Sequence, residues 1–404
     1  MDELAALATG RSDDLFAEDL RCQSDKIRGQ LEGRRILVLG GAGSIGASTV
    51  SLLADFDPAC LHVVDHNENA LAELVRDLRS RNGGLRVRDF RAVPIDFGSP
   101  IMLRFLKTEQ PYDWLFNFAA LKHVRSDKDV CSLLQMFDTN LLKPLACWRW
   151  LEDTSSTPNY FSVSTDKAAE PANLMGASKR LMEHVMFCEQ GLMSSAKRAT
   201  SSRFANVAFS NGSLLESFVR RFEKRQPLAA PRNTSRYFIS QREAGQICVL
   251  AATCGPHRHI MIPSLNPRED TKLLDEIAVA FLRQKGLEPQ IYQQEETARA
   301  SVSRDLVSNR YPLLLTDLDT EGEKSSETFA DQEEEIVEIG MSRILAVRYR
   351  PVPAELLHNF LNVIRDFVSA PDQPVDKRSI IEAVAKVIPE FNYLQRPLTL
   401  DQRM

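Results

Sequence analysis

Short apolar runs that end in polar residues recur along most of the chain, and segments with helical periodicity lie between many of them. The predicted strands are residues 35–39, 61–65, 91–96, 113–120, 160–163, 203–209 and 260–263. The predicted helices are residues 47–53, 129–153, 177–190, 271–285, 354–369 and 376–388. Because buried strands that alternate with amphipathic helices form βαβ units, the pattern predicts an α/β fold with a doubly wound parallel sheet.

Three regularly spaced glycines follow the first predicted strand and precede a helix. Gly40, Gly43 and Gly46 form a Gly-x-x-Gly-x-x-Gly pattern, with Ser44 and Ile45 inside it. Between a strand and a helix, such glycines permit a tight turn, a close approach to a pyrophosphate, and close contact of helix with strand. The phosphates then lie at the helix N-terminus. The pattern therefore predicts a dinucleotide-binding domain of the Rossmann type.

An acidic residue ends the second predicted strand. Asp65 stands roughly 20 residues after the glycine loop, where an acid binds the ribose hydroxyls of the adenosine. No arginine follows directly that would accept a 2′-phosphate, so the sequence favours NAD over NADP. Capping the next helix is an alternative role for Asp65, and one carboxylate can serve both.

Composition indicates a globular protein of two or more domains. The chain has 404 residues, 43% of them hydrophobic, and a formal net charge of -5. Without a long basic stripe, this charge argues against nucleic acid as a partner. Seven cysteines are scattered without a Cys-x-x-Cys pair, which indicates reduced thiols in the cytoplasm. His257 and His259 have no third ligand nearby in sequence, so we expect no metal site.

We also expect no membrane partner. The N-terminus, Met1-Asp2-Glu3, is acidic and is not followed by the apolar segment of a signal peptide. No run approaches the ~18 apolar residues of a spanning helix.

A hydroxyl, a carboxylate and an amine stand side by side after the fifth predicted strand. They belong to Thr165, Asp166 and Lys167. Further along, Met175 and Lys179 are four residues apart at the start of a predicted helix, and such residues share one helix face. An ordinary strand–loop–helix corner with surface charges is the alternative interpretation.

These residues resemble a known family. Extended short-chain dehydrogenases that act on nucleotide sugars carry Tyr-x-x-x-Lys where this chain has Met175 and Lys179, so Met175 takes the position of the tyrosine. With the Thr-Asp-Lys trio, the Met-x-x-x-Lys pattern resembles the CapD-like UDP-N-acetylglucosamine 4,6-dehydratases of bacterial polysaccharide synthesis, in particular the branch that retains the C5 configuration. Residues 316–329, which include a Gly-Glu-Lys at 322–324, and residues 400–404 resemble dehydratases of the legionaminic-acid pathway.

The resemblance implies a lyase that oxidises its substrate temporarily. NAD takes the C4 hydride of a hexose, the ketone acidifies C5–H, water leaves, and the hydride returns to C6. Asp166 would be the acid at the C6 oxygen, and Lys167 the base at C5 if burial or Lys179 lowers its pKa. Thr165 would hydrogen-bond the C4 oxygen, and Lys179 would anchor the nicotinamide ribose. Since Met175 has no proton to exchange, the C4 proton would leave through water to Lys179 or Asp166.

The resemblance also implies further binding residues. For the cofactor these are Asp96, at the adenine amine, and the small residues Ala119 and Ala120. For the nucleotide sugar they are Lys122, Asn206, Ser213 and Arg236. A guanidinium suits a phosphate through its paired donors. For Lys122 and Arg236, a solvent-exposed surface position is the competing interpretation.

The family pattern implies four segments and a homodimer or higher homo-oligomer. The segments are an N-terminal arm (1–33), an NAD-binding Rossmann domain (34–210), a smaller nucleotide-sugar-binding lobe whose strands return to the core (211–345), and a helical C-terminal extension (346–404). In relatives, helices equivalent to 129–153 and the one from 177 pair across a dimer; covering the sheet is the simpler alternative. Larger relatives carry a membrane-spanning front half, so this chain is expected to be a soluble cytoplasmic enzyme.

Other functions remain open at this level. An inverting dehydratase that epimerises C5, or a nucleotide-sugar 4-epimerase, would normally retain the tyrosine that Met175 replaces. A non-catalytic NAD sensor would not need Thr165, Asp166 and Lys167 together. No motif distinguishes UDP from GDP as the nucleotide.

Overall fold

The computed structural model describes residues 1–122, 127, 129–188, 193, 195–317, 327–372 and 374–393. The segments 322–324 and 400–404, which carry part of the family resemblance, lie outside the described residues. Among the described residues, no helix is both long enough and apolar enough to cross a membrane.

The described elements alternate between helix and strand through most of the chain. The strands are β1 (Arg35–Leu39), β2 (Cys60–Asp65), β3 (Asp89–Pro94), β4 (Trp114–Asn117), β5 (Asn159–Val163), β6 (Ala199–Ser202), β7 (Asn206–Val207), β8 (Leu228–Pro231), β9 (Ser235–Ile239), β10 (His259–Pro263), β11 (Thr271–Leu273), β12 (Glu288–Tyr292), β13 (Arg310–Thr316), β14 (Ile336–Glu338) and β15 (Ile344–Arg348). The helices are α1 (Glu3–Thr9), α2 (Ala17–Cys22), α3 (Ser24–Leu31), α4 (Ser44–Leu53), α5 (Glu68–Ser80), α6 (Pro100–Thr108), α7 (Val130–Phe137), α8 (Lys143–Asp153), α9 (Leu174–Phe187), α10 (Leu214–Glu223), α11 (Gln241–Cys254), α12 (Leu274–Gln284), α13 (Glu295–Val307), α14 (Ala354–Ser369) and α15 (Lys377–Val387).

A nine-stranded sheet forms the centre of the molecule, in the order β14-β15-β10-β6-β5-β4-β1-β2-β3. The strands from β10 to β3 run parallel, and β15 and β14 add an antiparallel edge. This confirms the predicted α/β fold with a doubly wound sheet. The strand order reverses between β1 and β4, which is where folds of this kind bind their ligands.

The two faces of β1 show how the sequence builds the core. Ile36 and Val38 pack in a cluster with the helices on one face, whereas Leu37 and Leu39 pack in a second cluster on the other. Successive strand residues point to opposite faces, so a continuous apolar run supplies both clusters at once.

The predicted strand 203–209 is wrong. The sheet instead contains β6, a run of small residues that is fully buried between β5 and β10. Its alanine, threonine and serines are small or polar, so the segment carries little apolar signal. The residues of β7 pair with β9 in a separate three-stranded sheet, in the order β11-β9-β7.

Three predicted helices begin three residues away from their predicted starts, and the first of them, expected from residue 47, begins at Ser44. The helix expected from residue 271 starts at Leu274, because Thr271–Leu273 pairs with β9 as β11. The helix expected from residue 177 starts at Leu174, where the Asn173 side chain accepts a hydrogen bond from the Gly176 N–H at 2.8 Å. This earlier start places Met175 on the helix.

The N-terminal arm and the helices α14 and α15 pack on the core. Phe16, Ile27 and Leu31 of the N-terminal arm are buried against the sheet face that carries α4 and α11. At the other end, α14 packs on α7 and α15 on α9, and all residues of α9 are buried. The helices 354–369 and 376–388 are therefore confirmed, within one residue at each end of the second. The domain boundaries stay a prediction.

Candidate active site

A cleft of about 770 Å³ opens at the carboxyl ends of β1, β4 and β5. Most of the predicted site residues line it, from both halves of the chain: Gly40, Gly43, Ser44, Ile45, Gly46, Asp65, Asp96, Ala119, Ala120, Lys122, Thr165, Lys167, Met175, Lys179, Asn206 and Ser213. Two predicted site residues, Asp166 and Arg236, do not line this cleft. The predicted cofactor and substrate residues therefore face one common space.

The glycine loop leaves no room for side chains at two of its positions. Gly40 has a φ of +69°, and a Cβ there would lie 2.4 Å from the backbone nitrogen of Ala119. A Cβ on Gly46 would lie 2.4 Å from the Gly40 carbonyl oxygen. The loop and the start of α4 thus form a tight backbone cradle at the cleft, which fits the diphosphate of a dinucleotide.

Asp65 closes the cradle from the end of β2. Its Oδ2 accepts a hydrogen bond from the Ala42 N–H at 3.1 Å, and its Oδ1 accepts from the Asn67 N–H at 3.0 Å. Asn67, not Asp65, caps α5. The alternative role as a helix cap is therefore wrong, and the carboxylate instead holds the glycine loop.

Asp96 lines the cleft just after β3, the strand that pairs with β2 and places Pro94 beside Asp65. Its Oδ2 is 2.6 Å from Lys143 Nζ, and its Oδ1 accepts a hydrogen bond from the Gly98 N–H. Partial burial favours the neutral acid, but the Lys143 cation outweighs it and lowers the pKa of Asp96. An ionised carboxylate here is an acceptor suited to an amine.

The Thr-Asp-Lys trio turns sharply where β5 ends. Thr165 is extended, and its side chain accepts from the Lys167 N–H at the start of a short 3-10 helix. Its hydroxyl donates to Asp166 Oδ1 at 2.6 Å, and Lys167 Nζ lies 3.3 Å from the same oxygen. The Lys167 side chain is 35% exposed and that of Asp166 only 4%. Lys167 therefore faces the cleft with the carboxylate directly behind it.

One expectation about Lys167 is wrong. We expected burial or Lys179 to lower its pKa, but the pKa is raised. Burial does act downward; the negative charges of Asp166 and Glu327 outweigh it. Lys167 is therefore held as an ammonium ion in the resting structure.

Lys179 shows the opposite behaviour one turn after Met175. It is 5% exposed, and its Nζ contacts the Met182 sulfur at 3.1 Å. Burial lowers the pKa of Lys179 to about 8 against the weaker pull of Glu183. Burial likewise lowers the pKa of Lys122 at the same cleft. At the same cleft, Lys179 and Lys122 therefore lose their protons more readily than Lys167 does.

Sequence reasoning missed one acidic residue beside the trio. Glu327 accepts hydrogen bonds from Asn206 Nδ2 at 2.7 Å and from the Tyr237 N–H at 3.0 Å, and its Oε1 lies 3.5 Å from Arg236 Nε. Burial, then repulsion from Asp166, raises the pKa of Glu327 to about 7. Glu327 is one of many acids in the last quarter of the chain, so no local pattern distinguishes it.

A buried ionic network connects the segment after Glu327 to the end of β5. Arg203 lies 2.6 Å from both Glu183 and Glu334, and its Nη1 also donates to the Phe329 carbonyl at 3.0 Å. Glu183 in turn accepts from the Ser164 hydroxyl at 2.6 Å, one residue before Thr165. These contacts fix Glu327 relative to the trio.

The described residues contain one group with the spacing of metal ligands, at the opposite edge of the sheet. Cys60, His62 and Asp89 lie at the amino ends of β2 and β3. Arg35 and Arg91 already neutralise the acids around them, and burial raises the pKa of the Cys60 thiol to about 12. His257 and His259 instead bond to backbone groups, Ala199 N–H and the carbonyl of residue 257. The group of Cys60, His62 and Asp89 is therefore not suited to a metal ion.

The chain belongs to the polysaccharide biosynthesis protein family, whose model matches residues 36–348. This confirms the family resemblance of the Thr-Asp-Lys and Met-x-x-x-Lys patterns. The C-terminal helices α14 and α15 lie outside the match.

Named relatives are similar over the same region. The chain is 27% identical over 282 residues to the probable polysaccharide biosynthesis protein EpsC of Bacillus subtilis, covering 67% of this chain and 45% of EpsC. It is 25% identical over 256 residues to a UDP-N-acetylglucosamine 4,6-dehydratase (inverting) of Campylobacter jejuni, covering 61% of this chain and 71% of that enzyme. The chain thus spans less than half of EpsC.

Solved structures share the fold. Pen from Bacillus thuringiensis superposes with a TM-score of 0.61 at 18% identity, covering 79% of this chain and 87% of Pen. The UDP-Glc/GlcNAc 4-epimerase of Campylobacter jejuni superposes with a TM-score of 0.54 at 16% identity, covering 74% and 91%. WbmF of Bordetella bronchiseptica, in complex with NAD+ and UDP, gives 0.50 at 17% identity, covering 68% and 87%.

Proposed function

We propose that the protein is an NAD-dependent nucleotide-sugar 4,6-dehydratase. The observation that supports this most is the common cleft: Thr165, Lys167 and Lys179 line the same space as the glycine loop. A cofactor-binding protein without catalysis does not need a buried acid paired with a lysine at the end of the central strand. Membership of the polysaccharide biosynthesis family supports this class of reaction.

The cradle residues would hold the cofactor. Gly40 and Gly46 leave backbone room for the diphosphate, Asp65 would bind the adenosine ribose, and Asp96 the adenine amine. When bound, NAD supplies a temporary acceptor for the C4 hydride, and the resulting ketone makes C5–H acidic. Ala119 and Ala120 line the cleft with small side chains and so leave space beside the ring.

The lysines divide the proton transfers in this proposal. Lys179, with its lowered pKa, takes the proton of the C4 hydroxyl, which replaces the missing tyrosine. Lys167 takes the C5 proton after it has lost its own. Asp166 does not itself line the cleft, so it would pass a proton to the departing C6 oxygen through Thr165 or Lys167, which contact it and do line the cleft. Thr165 orients the C4 oxygen, and Met175 shapes the pocket without exchanging a proton.

The substrate that we propose is UDP-N-acetylglucosamine or its GDP counterpart, with retention at C5, for a bacterial surface glycan or a nonulosonic acid. The Campylobacter relative carries the name of a UDP-N-acetylglucosamine dehydratase, and Met175 favours retention over its inverting reaction. Lys122, Asn206 and Ser213 line the cleft where the diphosphate would lie. Arg236 would reach the phosphates only by leaving Glu327.

A homo-oligomer remains part of the proposal, with one restriction on its geometry. In this structure every residue of α9 is buried within its own chain, whereas α7, on which α14 packs, keeps Cys131 exposed. A contact between subunits would therefore not use α9. The mass of the protein in solution, compared with 45.5 kDa for one chain, tests this point.

Incubation with UDP- and GDP-N-acetylglucosamine tests the proposed activity. The proposal predicts loss of one water by mass spectrometry, with no net build-up of NADH. A product of unchanged mass and inverted C4 would instead identify a 4-epimerase, and inversion at C5 in the dehydrated product would identify the inverting reaction. Release of NADP(H) on denaturation would contradict the assignment of Asp65.

A further inference from the structure

Lys143 lines the cleft but has no part in the function proposed above. It is the first residue of α8, and its Nζ lies 2.6 Å from Asp96 Oδ2 and 4.0 Å from Asp138 Oδ2. The Lys143 side chain is 20% exposed, whereas that of Asp96 is 47% exposed. The carboxylate of Asp96 is therefore the more accessible of the two paired groups.

The order of the strands places Asp96 where the base of the cofactor would lie. β1, β2 and β3 are neighbours in the sheet, and their carboxyl ends contribute Gly40, Asp65 and Asp96 to the cleft. A dinucleotide extends from its pyrophosphate at the first of these strands to its ribose at the second. Since the base is attached to that ribose, it reaches the end of β3. Ile95 and Phe97, on either side of Asp96 in sequence, provide an apolar lining for a flat ring.

We propose that Lys143 is a positioning residue that fixes Asp96 as the acceptor for the amine of adenine, and so makes the site selective for adenine over a base with a carbonyl group in that place. Lys143 donates to Oδ2 of Asp96, and the Gly98 N–H donates to Oδ1 at 2.9 Å. Each carboxylate oxygen has a second lone pair for the base. A carboxylate that is already oriented loses little freedom on binding.

The inference concerns the cofactor alone and does not depend on the dehydratase reaction. The backbone fixes the root of the lysine side chain, because the Lys143 N–H donates to the Asp138 carbonyl across a π-helical segment, Asp138–Leu142. Such π-turns are frequent at functional sites. Gly98 leaves the space through which the side chain passes: a Cβ there would lie 2.4 Å from both Cγ and Cδ of Lys143. The fold therefore directs Lys143 to Asp96.

Competition between two dinucleotides tests the selectivity. Nicotinamide hypoxanthine dinucleotide carries a carbonyl group in place of the adenine amine of NAD. Purified protein is equilibrated with an equal excess of both, free dinucleotide is removed, and the bound molecules are quantified after denaturation. The wild type should hold more NAD. In Lys143→Ala the ratio of bound NAD to the analogue should fall about 3–10-fold, because Asp96 loses a hydrogen bond that orients it. Lys107→Ala, an exposed lysine of α6, is the matched control and should leave the ratio unchanged.

Two double variants show whether Lys143 acts through Asp96. In an Asp96→Ala background, Lys143→Ala should change the ratio no further, because the side chain that it positions has been removed. Gly98→Ala should lower the ratio by displacing Lys143. Combined with Lys143→Ala, it should add little, because the shortened side chain leaves room for the Cβ.

A wild type that holds both dinucleotides equally would overturn the inference. An unchanged ratio in Lys143→Ala, with equal losses of both dinucleotides, would show a merely structural role and would also overturn it. A further fall in the Asp96→Ala background would show that Lys143 contacts the base itself, against a positioning role. Because bound cofactor is measured and not turnover, these results are separate from the test of the proposed dehydratase.

Discussion

Arg203 and Glu334 form an ion pair that has no contact with solvent: Arg203 Nη1 lies 2.6 Å from Glu334 Oε2, and neither side chain is exposed. The Arg203 and Arg180 cations outweigh burial and lower the pKa of Glu334 to about 2. The pair joins the residue that follows β6 to the segment that precedes β14, and Glu183, a second partner of Arg203, accepts a hydrogen bond from Ser164 next to Thr165. The ion pair that stabilises the fold therefore lies next to the segment that carries Thr165.

Glu334→Gln should destabilise the protein by about 3–5 kcal/mol at pH 7, because two buried arginines lose their shared anion. Glu334 has a lower pKa when folded than when unfolded, so its contribution is present above about pH 4.5 and is lost as the pH falls toward 2. Urea unfolding at several pH values measures this. The gap between wild type and variant should narrow on acidification; a constant gap would contradict the electrostatic explanation.

Gly46→Ala should abolish tight binding of NAD, because its Cβ would lie 2.4 Å from the Gly40 carbonyl oxygen. Gly29→Ala is the matched control: no atom lies within 4 Å of a Cβ added there, in α3. The control should bind NAD normally and be more stable by up to about 1 kcal/mol. Cofactor released after denaturation provides the measurement, and equal occupancy in both variants would refute the cradle.

Lys179→Arg should block oxidation at C4, since a guanidinium keeps the charge but does not give up its proton. In an Asp166→Asn background, NADH formed on mixing with sugar nucleotide reports this step. With Lys179 present, the rate should rise through about pH 8 as the amine becomes neutral. A Lys179→Arg protein that forms NADH at the same rate would show that the lysine only anchors the ribose.

Phe360→Ala should cost about 3–5 kcal/mol, because its ring is 3% exposed and packs 5.9 Å from that of Phe137 in α7. Val363→Ala, on the same helix but 36% exposed, is the control and should change stability little. Thermal unfolding compares the two. If Phe360→Ala were as stable as the control, α14 would not be part of the core.

Most strands of the sheet that carry large apolar residues were predicted, but β15, with Ile344, Leu345 and Val347, was missed. β1 was predicted to the residue, because Ile36 to Leu39 fill both faces and glycine follows directly. β6 was not, because Ala199–Ser202 is buried by its neighbours and not by its own hydrophobicity. Whether such a segment forms a strand depends on its neighbours in the fold, and a single sequence does not show those neighbours.

The site shows the same limit. Gly40, Lys167 and Lys179 follow local patterns, so their common cleft could be anticipated. The raised pKa of Lys167 could be anticipated only in part: Asp166 is its neighbour in sequence, but Glu327 is 160 positions away (327 − 167). A pKa is set by burial and by charges brought together in the fold, and these pairings have no spacing rule.

Division of labour between Asp166 and Lys167 is the central claim, and exchange at C5 tests it most directly. The substrate is UDP- or GDP-N-acetylglucosamine in deuterated buffer, followed by mass spectrometry and by NMR at C5. The wild type should lose one water and gain deuterium at C5. Asp166→Asn should accumulate bound NADH without losing water, and Lys167→Ala should incorporate no deuterium, each about 10²–10⁴-fold slower in turnover, whereas Met175→Leu should be affected far less. Near-native turnover in both Asp166→Asn and Lys167→Ala would contradict the account, and Lys122 would be the next residue to test.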